Sequence, residues 1–209
     1  MQKRFDQKRG LYAESDAAAT WARKERELAT GASSTGMFLG ETTEQQNINR
    51  RNMLLEEAAF NEAINNPIGC APLKEIIGSN ETVAIVIPDI TRALPNERLL
   101  TWLFEELSHL PAENYTIISG TGTHRENTDE EWEYMVGRRI YRNYRCINHN
   151  GFDDDALTNV GKSKFSYDVY FNSKYLKADR RILMGFIEPH FMAGFSGGYK
   201  AAFPGVVGV

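Results

Sequence analysis

The chain has 209 residues, of which 42% are hydrophobic and 25% charged, which is ordinary for a globular protein and excludes wholesale disorder. Its 24 basic and 28 acidic residues give a formal net charge of −4, so the composition provides no general attraction to nucleic acid. Two cysteines exclude a disulfide framework, and because neither a signal-peptide pattern nor the ~20 apolar residues of a membrane span is visible, we expect a cytoplasmic protein.

Residues 1–66 are polar and poor in β-branched side chains, and we expect them to form a helical extension distinct from the rest of the chain. A first helix is predicted from about Asp16 to Ala29 and a second from about Thr43 to Asn65, with a Gly/Ser/Thr linker at Gly31–Gly36 between them. The second helix carries apolar residues at the spacing of one helix face, namely Leu54, Leu55, Ala58, Ala59 and Ala63.

Residues 67–209 alternate between predicted strands and predicted helices. The apolar run within Glu81–Pro88 indicates a buried strand, and Pro95 suits the first position of the helix that follows. After a second strand at Tyr115–Ser119, the sequence Thr128–Glu131 is a capping box that opens a helix reaching about Ile140. Further strands are predicted at Tyr144–Ile147, Tyr167–Tyr170 and Arg181–Ile187.

This alternation predicts an α/β domain with a Rossmann-like, mainly parallel sheet and flanking helices, preceded by the helical N-terminal segment. Ligands of such sheets bind beyond the carboxyl ends of the strands. Three polar clusters follow predicted strands, at Asp89–Arg92, Gly120–Arg125 and Glu188–Lys200. If the three strands are neighbours, the clusters converge on one pocket.

Two of the four histidines lie in these clusters and are candidate bases near neutral pH. His124 lies in a Gly/Thr loop after a strand, where an ordinary surface histidine is the alternative. His190 follows a proline, and its alternative is a structural histidine. His109 and His149 are interpreted as structural or solvated.

Arg92 and Lys200 are the candidate anion-binding residues. The planar guanidinium of Arg92 suits a carboxylate or phosphate, while an ion pair with Asp89 is the alternative and is compatible with that role. Lys200 follows the glycine-rich segment Gly194–Gly198, whose backbone N–H groups suit an anion. The lysine itself suits either phosphate binding or covalent attachment. The segment is not a Walker A motif, because Tyr199 precedes the lysine and Ala201 follows it.

Two other groups of polar residues could bind a ligand or could be ordinary surface features, and we favour the second interpretation for both. A solvated helix face is preferred to RNA or DNA binding for a basic and aromatic cluster of Arg138, Arg139, Tyr141, Arg142, Tyr144 and Arg145. A loop tip is preferred to a cation site for Asp153–Asp155.

Taken together, the three clusters resemble the lactate racemase (LarA) family. The resemblance rests on Asp89–Arg92, Gly120–Arg125 and the long, specific segment Glu188–Lys200, followed by Pro204–Gly205. It extends from about Asn66 to the end of the chain and includes a lead-in at Pro67–Gly69 and Pro72–Leu73. Residues 1–65 take no part in it.

The resemblance implies a racemase or epimerase of 2-hydroxy acids that uses a nickel pincer nucleotide tethered to a lysine, which matches Lys200. Ser196, Gly197 and Gly198 are the expected cofactor-binding neighbours of that lysine. The implied chemistry is hydride transfer from the substrate Cα, with two histidines as bases on opposite faces, matching His124 and His190. Arg92 matches the arginine that faces the substrate anion, and Asp89 is expected beside it in substrate binding.

The resemblance also implies partners outside these residues. The family's nickel-binding histidine and its second, C-terminal lobe come after the tethering lysine, and only nine residues follow Lys200 here, none of them histidine. We therefore expect no metal ligand within this chain and little or no racemase activity from the chain alone. The expected partners are a 2-hydroxy acid, the missing lobe and cofactor-maturation enzymes, with no nucleic acid or membrane. The alternative is a stand-alone module that binds a nucleotide or hydroxy acid without catalysis.

Overall fold

The structure, a computed structural model, describes residues 43–190 and 194–209. The chain divides into two compact units, Met1–Pro67 and Ile68–Val209. In the first unit, helix α1 spans Thr43–Asn65, as predicted, and its apolar residues Leu54 and Leu55 are exposed. The helix predicted at Asp16–Ala29 and the linker at Gly31–Gly36 lie outside the described residues.

The second unit contains the predicted α/β fold. In chain order its elements are α2 (Leu73–Ile76), β1 (Val83–Ile87), α3 (Asn96–Glu106), β2 (Tyr115–Ser119), α4 (Asp129–Val136), α5 (Arg138–Asn143), β3 (Arg145–Asn148), β4 (Leu157–Lys162), β5 (Asp168–Asn172), α6 (Ser173–Lys177), β6 (Arg180–Leu183), β7 (Pro189–His190) and β8 (Gly194–Phe195). Short 3-10 turns lie at Ala112–Asn114, Asp154–Ala156 and Gly198–Ala201.

The main sheet has four strands in the order β3-β2-β1-β6, and every pairing in it is parallel. All five residues of β1 are buried, which is why this central strand reads as a continuous apolar run and shows no alternation. The prediction of a Rossmann-like, mainly parallel sheet with flanking helices is therefore confirmed.

A separate hairpin was only half predicted. The strand expected at Tyr167–Tyr170 is β5, but it pairs antiparallel with β4 outside the main sheet. Strand β4 was missed because five of its six residues are exposed, so it has neither an apolar run nor a clear alternation.

Three element boundaries also differ from the prediction. The Thr128 capping box is present, but the helix it opens ends at Gly137, whose φ of 79° favours glycine and separates α4 from α5. The last strand of the main sheet ends at Leu183, not Ile187, because the chain then turns toward the small hairpin β7–β8. Helix α3 begins one residue after Pro95.

Buried His149 joins the C-terminal segment to the domain. Its side chain is 1% exposed, its Nε2 donates to the Val207 carbonyl at 2.8 Å, and its Nδ1 lies 3.4 Å from the Asn172 amide nitrogen. The Asn172 backbone N–H in turn donates to the Val206 carbonyl at 2.9 Å. Burial lowers the pKa of His149, because the charged imidazolium loses its hydration there. This histidine is structural, as the sequence suggested.

The His149 environment predicts an acid-sensitive fold. The unfolded imidazole titrates near its ordinary pKa of about 6.5 and the native one below it, so the unfolded state binds more protons between the two values. Stability therefore falls as the pH falls below about 6.5, with a slope of at most about 1.4 kcal/mol per pH unit. Urea unfolding from pH 7.5 to 5 measures this slope, and His149→Gln should be flatter. If the free energy of unfolding of His149→Gln depends on pH as steeply as that of the parent protein, other titratable groups cause the acid sensitivity.

Candidate functional site

The three polar clusters meet at the carboxyl edge of the main sheet. Strand β1 lies between β2 and β6, so the loops that follow these three strands are neighbours. The strand order also changes direction here, since β2 and β3 lie on one side of β1 and β6 on the other. Such switch points are where open α/β sheets bind ligands. The three strands that precede the clusters are therefore neighbours, as convergence of the clusters required.

Asp89 and His124 form a hydrogen-bonded pair across two of these loops. The Asp89 side chain is 5% exposed, and its Oδ2 accepts from the Nδ1 of His124. Its Oδ1 accepts from the Thr91 backbone N–H at 3.1 Å and from the Thr91 hydroxyl at 2.5 Å. Because the carboxylate holds the proton on Nδ1, the Nε2 of His124 is the nitrogen that can exchange a proton with a ligand.

The pair shifts both titrations in the directions an ion pair requires. The hydrogen bond to Asp89 raises the pKa of His124, against burial and the positive charges of Arg92 and Lys200. Burial acts to raise the pKa of Asp89, but the His124 and Thr91 hydrogen bonds and the His124 charge outweigh it, so that pKa lies below its ordinary value. Asp89 was expected to bind substrate, and its burial against His124 favours a role in orienting that histidine.

Asp89→Asn is expected to lower the pKa of His124, because the variant loses the carboxylate while the charges of Arg92 and Lys200 remain. The His124 ring resonances, followed by NMR across a pH titration, measure the change. Asp168→Asn is the matched control, since Asp168 pairs with Lys162 in the β4–β5 hairpin. A His124 titration that moves equally in both variants would contradict the assignment.

His190 lies in β7 and is half-buried. Burial lowers its pKa, and the positive charges of Lys200 and Arg92 lower it further against the opposing effect of Glu188. Arg92 and Lys200 therefore lie within electrostatic reach of both candidate histidines. The structure brings four of the predicted site residues into one cluster, in which one histidine has a raised pKa and the other a lowered pKa.

Arg92 and Asp89 do not form the ion pair that the sequence allowed. The Arg92 backbone N–H donates to the Asp89 carbonyl at 3.1 Å in the turn after β1, and its side chain is exposed. In the part of the chain that the structure describes, Asp89 pairs with His124, and no ion pair joins it to Arg92. The guanidinium is thus placed to meet an anion from solvent.

Lys200 is positioned by a tight backbone turn next to the β7–β8 hairpin. Ser196 is 6% exposed, its N–H donates to the Glu188 carbonyl at 2.8 Å, and its hydroxyl donates to the Phe186 carbonyl at 3.3 Å. Gly197 follows with φ 71° and ψ −167°, a conformation essentially limited to glycine. The Lys200 N–H then donates to the Gly197 carbonyl at 3.1 Å. Ser196, for which cofactor binding stays a prediction, also stabilises this turn through these bonds.

An open depression of about 630 Å³ adjoins the lysine. Its lining combines one charged side chain, three small residues and four apolar or aromatic side chains. The residues are Lys200, then Ser196, Gly197 and Gly198, then Ile187, Phe195, Tyr199 and Phe203. An amine beside aromatic walls and a glycine floor fits a flat group attached through Lys200. Among residues 43–190 and 194–209, no three His, Cys, Asp or Glu side chains are grouped to hold a metal ion.

The basic and aromatic cluster at Arg138–Arg145 and the acidic segment Asp153–Asp155 both make contacts within the domain. The Tyr144 ring stacks on Phe104 with centroids 4.0 Å apart, and the Tyr141 hydroxyl donates to Asp129 at 2.7 Å, so both side chains make contacts within the domain. The Asp153 carboxylate caps the turn that it begins, accepting from the Asp155 N–H at 3.2 Å. No helix in the described ranges is long and apolar enough to cross a membrane.

The sequence analysis missed two polar residues at this edge of the sheet. Asn127 and Asn148 bond to each other and to the loops that carry Asp89 and His124. A single asparagine in a polar loop gives no periodic signal, and the burial of Asn127 and its hydrogen bonds with half-buried Asn148 are visible only in the fold.

Comparison with known proteins places this site in a family. The family model described as the lactate racemase N-terminal domain matches residues 38–209. The lactate racemase of Lactiplantibacillus plantarum is 34% identical over 156 residues, which are 74% of this chain and 37% of that protein. The lactate racemase of Thermoanaerobacterium thermosaccharolyticum is 31% identical over 155 residues, which are 74% of this chain and 36% of that protein.

Solved structures share the same fold. The lactate racemase apoprotein from T. thermosaccharolyticum aligns with a TM-score of 0.67 at 30% identity, covering 74% of this chain and 37% of that one. A protein from Thermotoga maritima aligns with a TM-score of 0.59 at 25% identity, covering 73% of this chain and 39% of that one. The chain spans a little over a third of the length of the curated relatives it matches.

Proposed function

The chain belongs to the lactate racemase family, in its N-terminal domain, and from that premise we propose that it forms part of the catalytic centre of a 2-hydroxy-acid racemase. The observation that carries the proposal is the meeting of His124, His190, Arg92 and Lys200 at one switch point of the sheet. Two bases, one cation for a carboxylate and one amine for a tether are what this reaction needs.

Arg92 binds the substrate carboxylate in this proposal, because its exposed guanidinium matches a carboxylate with two parallel hydrogen bonds. Binding the anion there places the neighbouring hydroxyl and Cα within the cluster that contains the two histidines. The reaction then requires that the hydroxyl lose its proton while the Cα hydrogen leaves with its electron pair, which gives a planar keto acid. The Cα hydrogen returns to either face, and the keto oxygen regains a proton.

The two histidines divide the proton transfers. The lowered pKa of His190 keeps its imidazole neutral, so it can take the hydroxyl proton of one enantiomer. The raised pKa of His124 favours its protonated imidazole, which can return a proton to the keto oxygen when the other enantiomer forms. In the reverse direction the roles exchange, with Asp89 stabilising the imidazolium that forms on His124.

Lys200 is the tether in this proposal. A nickel pincer nucleotide attached to its amine supplies, when bound, the acceptor for the hydride from Cα. Phe195, Phe203 and the Gly197–Gly198 turn line the open depression beside Lys200 and would contact such a flat group. We assign no nickel ligand to this chain. The further partners proposed are the enzymes that make the cofactor and a second lobe, because the relatives are much longer than this chain.

Mass spectrometry of the natively purified protein tests the tether. After co-expression with the cofactor-making enzymes, the peptide that contains Lys200 is expected to carry an added mass. Lys200→Arg should remove the adduct, whereas Lys174→Arg on helix α6 is the matched control that keeps it. An unmodified Lys200 under these conditions would contradict the proposal and favour a stand-alone binding module. The 209-residue polypeptide alone is expected to show little or no racemisation, and robust activity from it would overturn that expectation.

A further inference from the structure

Asn127 is a buried asparagine whose side chain is fully used in hydrogen bonds. It is 6% exposed, and its Oδ1 accepts from the Ile90 backbone N–H at 3.1 Å. Its Nδ2 donates to the Ser119 hydroxyl at 2.8 Å and to the Asn148 Oδ1 at 2.9 Å. One side chain therefore ties together the residues that follow β1, the end of β2 and the end of β3.

Asn148 makes this connection reciprocal. Its Oδ1 also accepts from the Asn127 N–H at 3.1 Å and from the Trp132 indole N–H at 3.2 Å, and its Nδ2 donates to the Asn127 carbonyl at 2.9 Å. The backbone at position 127 is thus fixed to the end of β3 and to helix α4. Buried amide groups in such a network hold one geometry, because breaking a single bond leaves a partner unsatisfied.

The network reaches both members of the Asp89–His124 pair. Ile90, which Asn127 bonds, is the residue directly after Asp89, and His124 lies three residues before Asn127 in the same loop. Asn127 does not touch the imidazole in any hydrogen bond of the described network. Its position is that of a residue acting on the pair through the two loops that carry it.

We propose that Asn127 is a positioning residue that fixes the Asp89 and His124 loops at their bonding distance. The catalytic meaning of this inference rests on the proposed function, but the geometry is testable without it. When Asn127 is removed, the Asp89–His124 hydrogen bond loosens and the imidazole is left mainly with the positive charges of Arg92 and Lys200.

The test is Asn127→Ala, with the His124 titration followed by NMR. The midpoint is expected to fall by about 0.5 pH unit or more, because the bond that raises it is weakened. Asn114→Ala is the matched control, since the Asn114 Nδ2 donates to the Glu81 carbonyl at 3.1 Å and so ties β1 to β2 at the opposite end of the sheet. It should lower the unfolding midpoint without moving the His124 titration.

Ser119→Ala keeps the inference testable if Asn127→Ala does not fold. It removes only one of the three Asn127 side-chain bonds and leaves the Ile90 bond in place, so a smaller fall in the His124 midpoint is expected. A His124 titration unchanged in the folded variants, or moved equally by Asn114→Ala, would overturn the inference. In the cofactor-loaded protein assembled with a second lobe, Asn127→Ala should lower kcat about 10-fold with little change in KM. If the His124 titration midpoint falls in Asn127→Ala but kcat does not, the result would instead count against the proposed catalytic role of His124.

Discussion

Replacing either His124 or His190 by glutamine is expected to slow racemisation by the cofactor-loaded protein, assembled with a second lobe, by about 10²–10⁴-fold, the usual contribution of a general acid or base. Both single variants should lose interconversion in both directions, because each direction needs one histidine to accept a proton and the other to donate one. Chiral chromatography of the product from each pure enantiomer measures this loss.

His109→Gln is the matched control for these variants. The His109 Nε2 lies 2.8 Å from the Ile77 carbonyl, near the amino end of β1 and away from the cluster, so racemisation should be unchanged. Substrate binding should persist in the two site variants, since the carboxylate contact is proposed for Arg92. A His124→Gln or His190→Gln protein that racemises at the rate of the control would remove that histidine from the mechanism.

Gly197→Ala is expected to destabilise the domain by about 3 kcal/mol, through an unfavourable backbone conformation and a steric clash. At φ 71° and ψ −167° the residue occupies backbone space essentially limited to glycine. An added Cβ would also lie 2.3 Å from the Phe186 carbonyl oxygen, which belongs to the backbone and cannot move aside cheaply. Because the Lys200 N–H bonds the Gly197 carbonyl, the variant should also lose the lysine adduct.

Gly194→Ala separates the two causes. Gly194 has a φ of 78°, but an added Cβ there meets nothing within 4 Å, so its cost is backbone strain alone. Urea unfolding compares the two variants, and Gly197→Ala should lose more stability because it adds the clash with the Phe186 carbonyl to its backbone strain. Equal losses of stability would mean that the contact with Phe186 contributes nothing.

The sheet was predictable from the sequence because its central strand is buried on both faces. Val83–Ile87 reads as an unbroken apolar run for that reason, and the polar residues directly after it mark where the strand ends. The Thr128 capping box is equally local, since the bonds that define it lie within four residues. By contrast, β4 is exposed along nearly its whole length and is paired with β5. Its own sequence therefore has no hydrophobic pattern that predicts a strand.

The residues of the candidate site could be named from the sequence, but the contacts among them could not. His124, His190, Arg92 and Lys200 each stood in a loop after a predicted strand, and the order of strands in the sheet then decided that they meet. The burial of Asp89 against His124 depends on the packing of two loops 35 residues apart, which spacing alone does not give. Asn127 was invisible for the same reason.

Racemisation of a single lactate enantiomer in D₂O tests the central claim most directly. The proposed reaction predicts that the cofactor-loaded chain, assembled with a second lobe, converts pure L-lactate to a mixture with D-lactate, and that the Cα hydrogen of the product is the original protium. Retention follows because the histidines exchange only the hydroxyl proton, while the Cα hydrogen moves as a hydride that does not mix with solvent. Deuterium at Cα of the product, or no second enantiomer from the lobe-assembled protein carrying the Lys200 adduct, would contradict the proposed reaction.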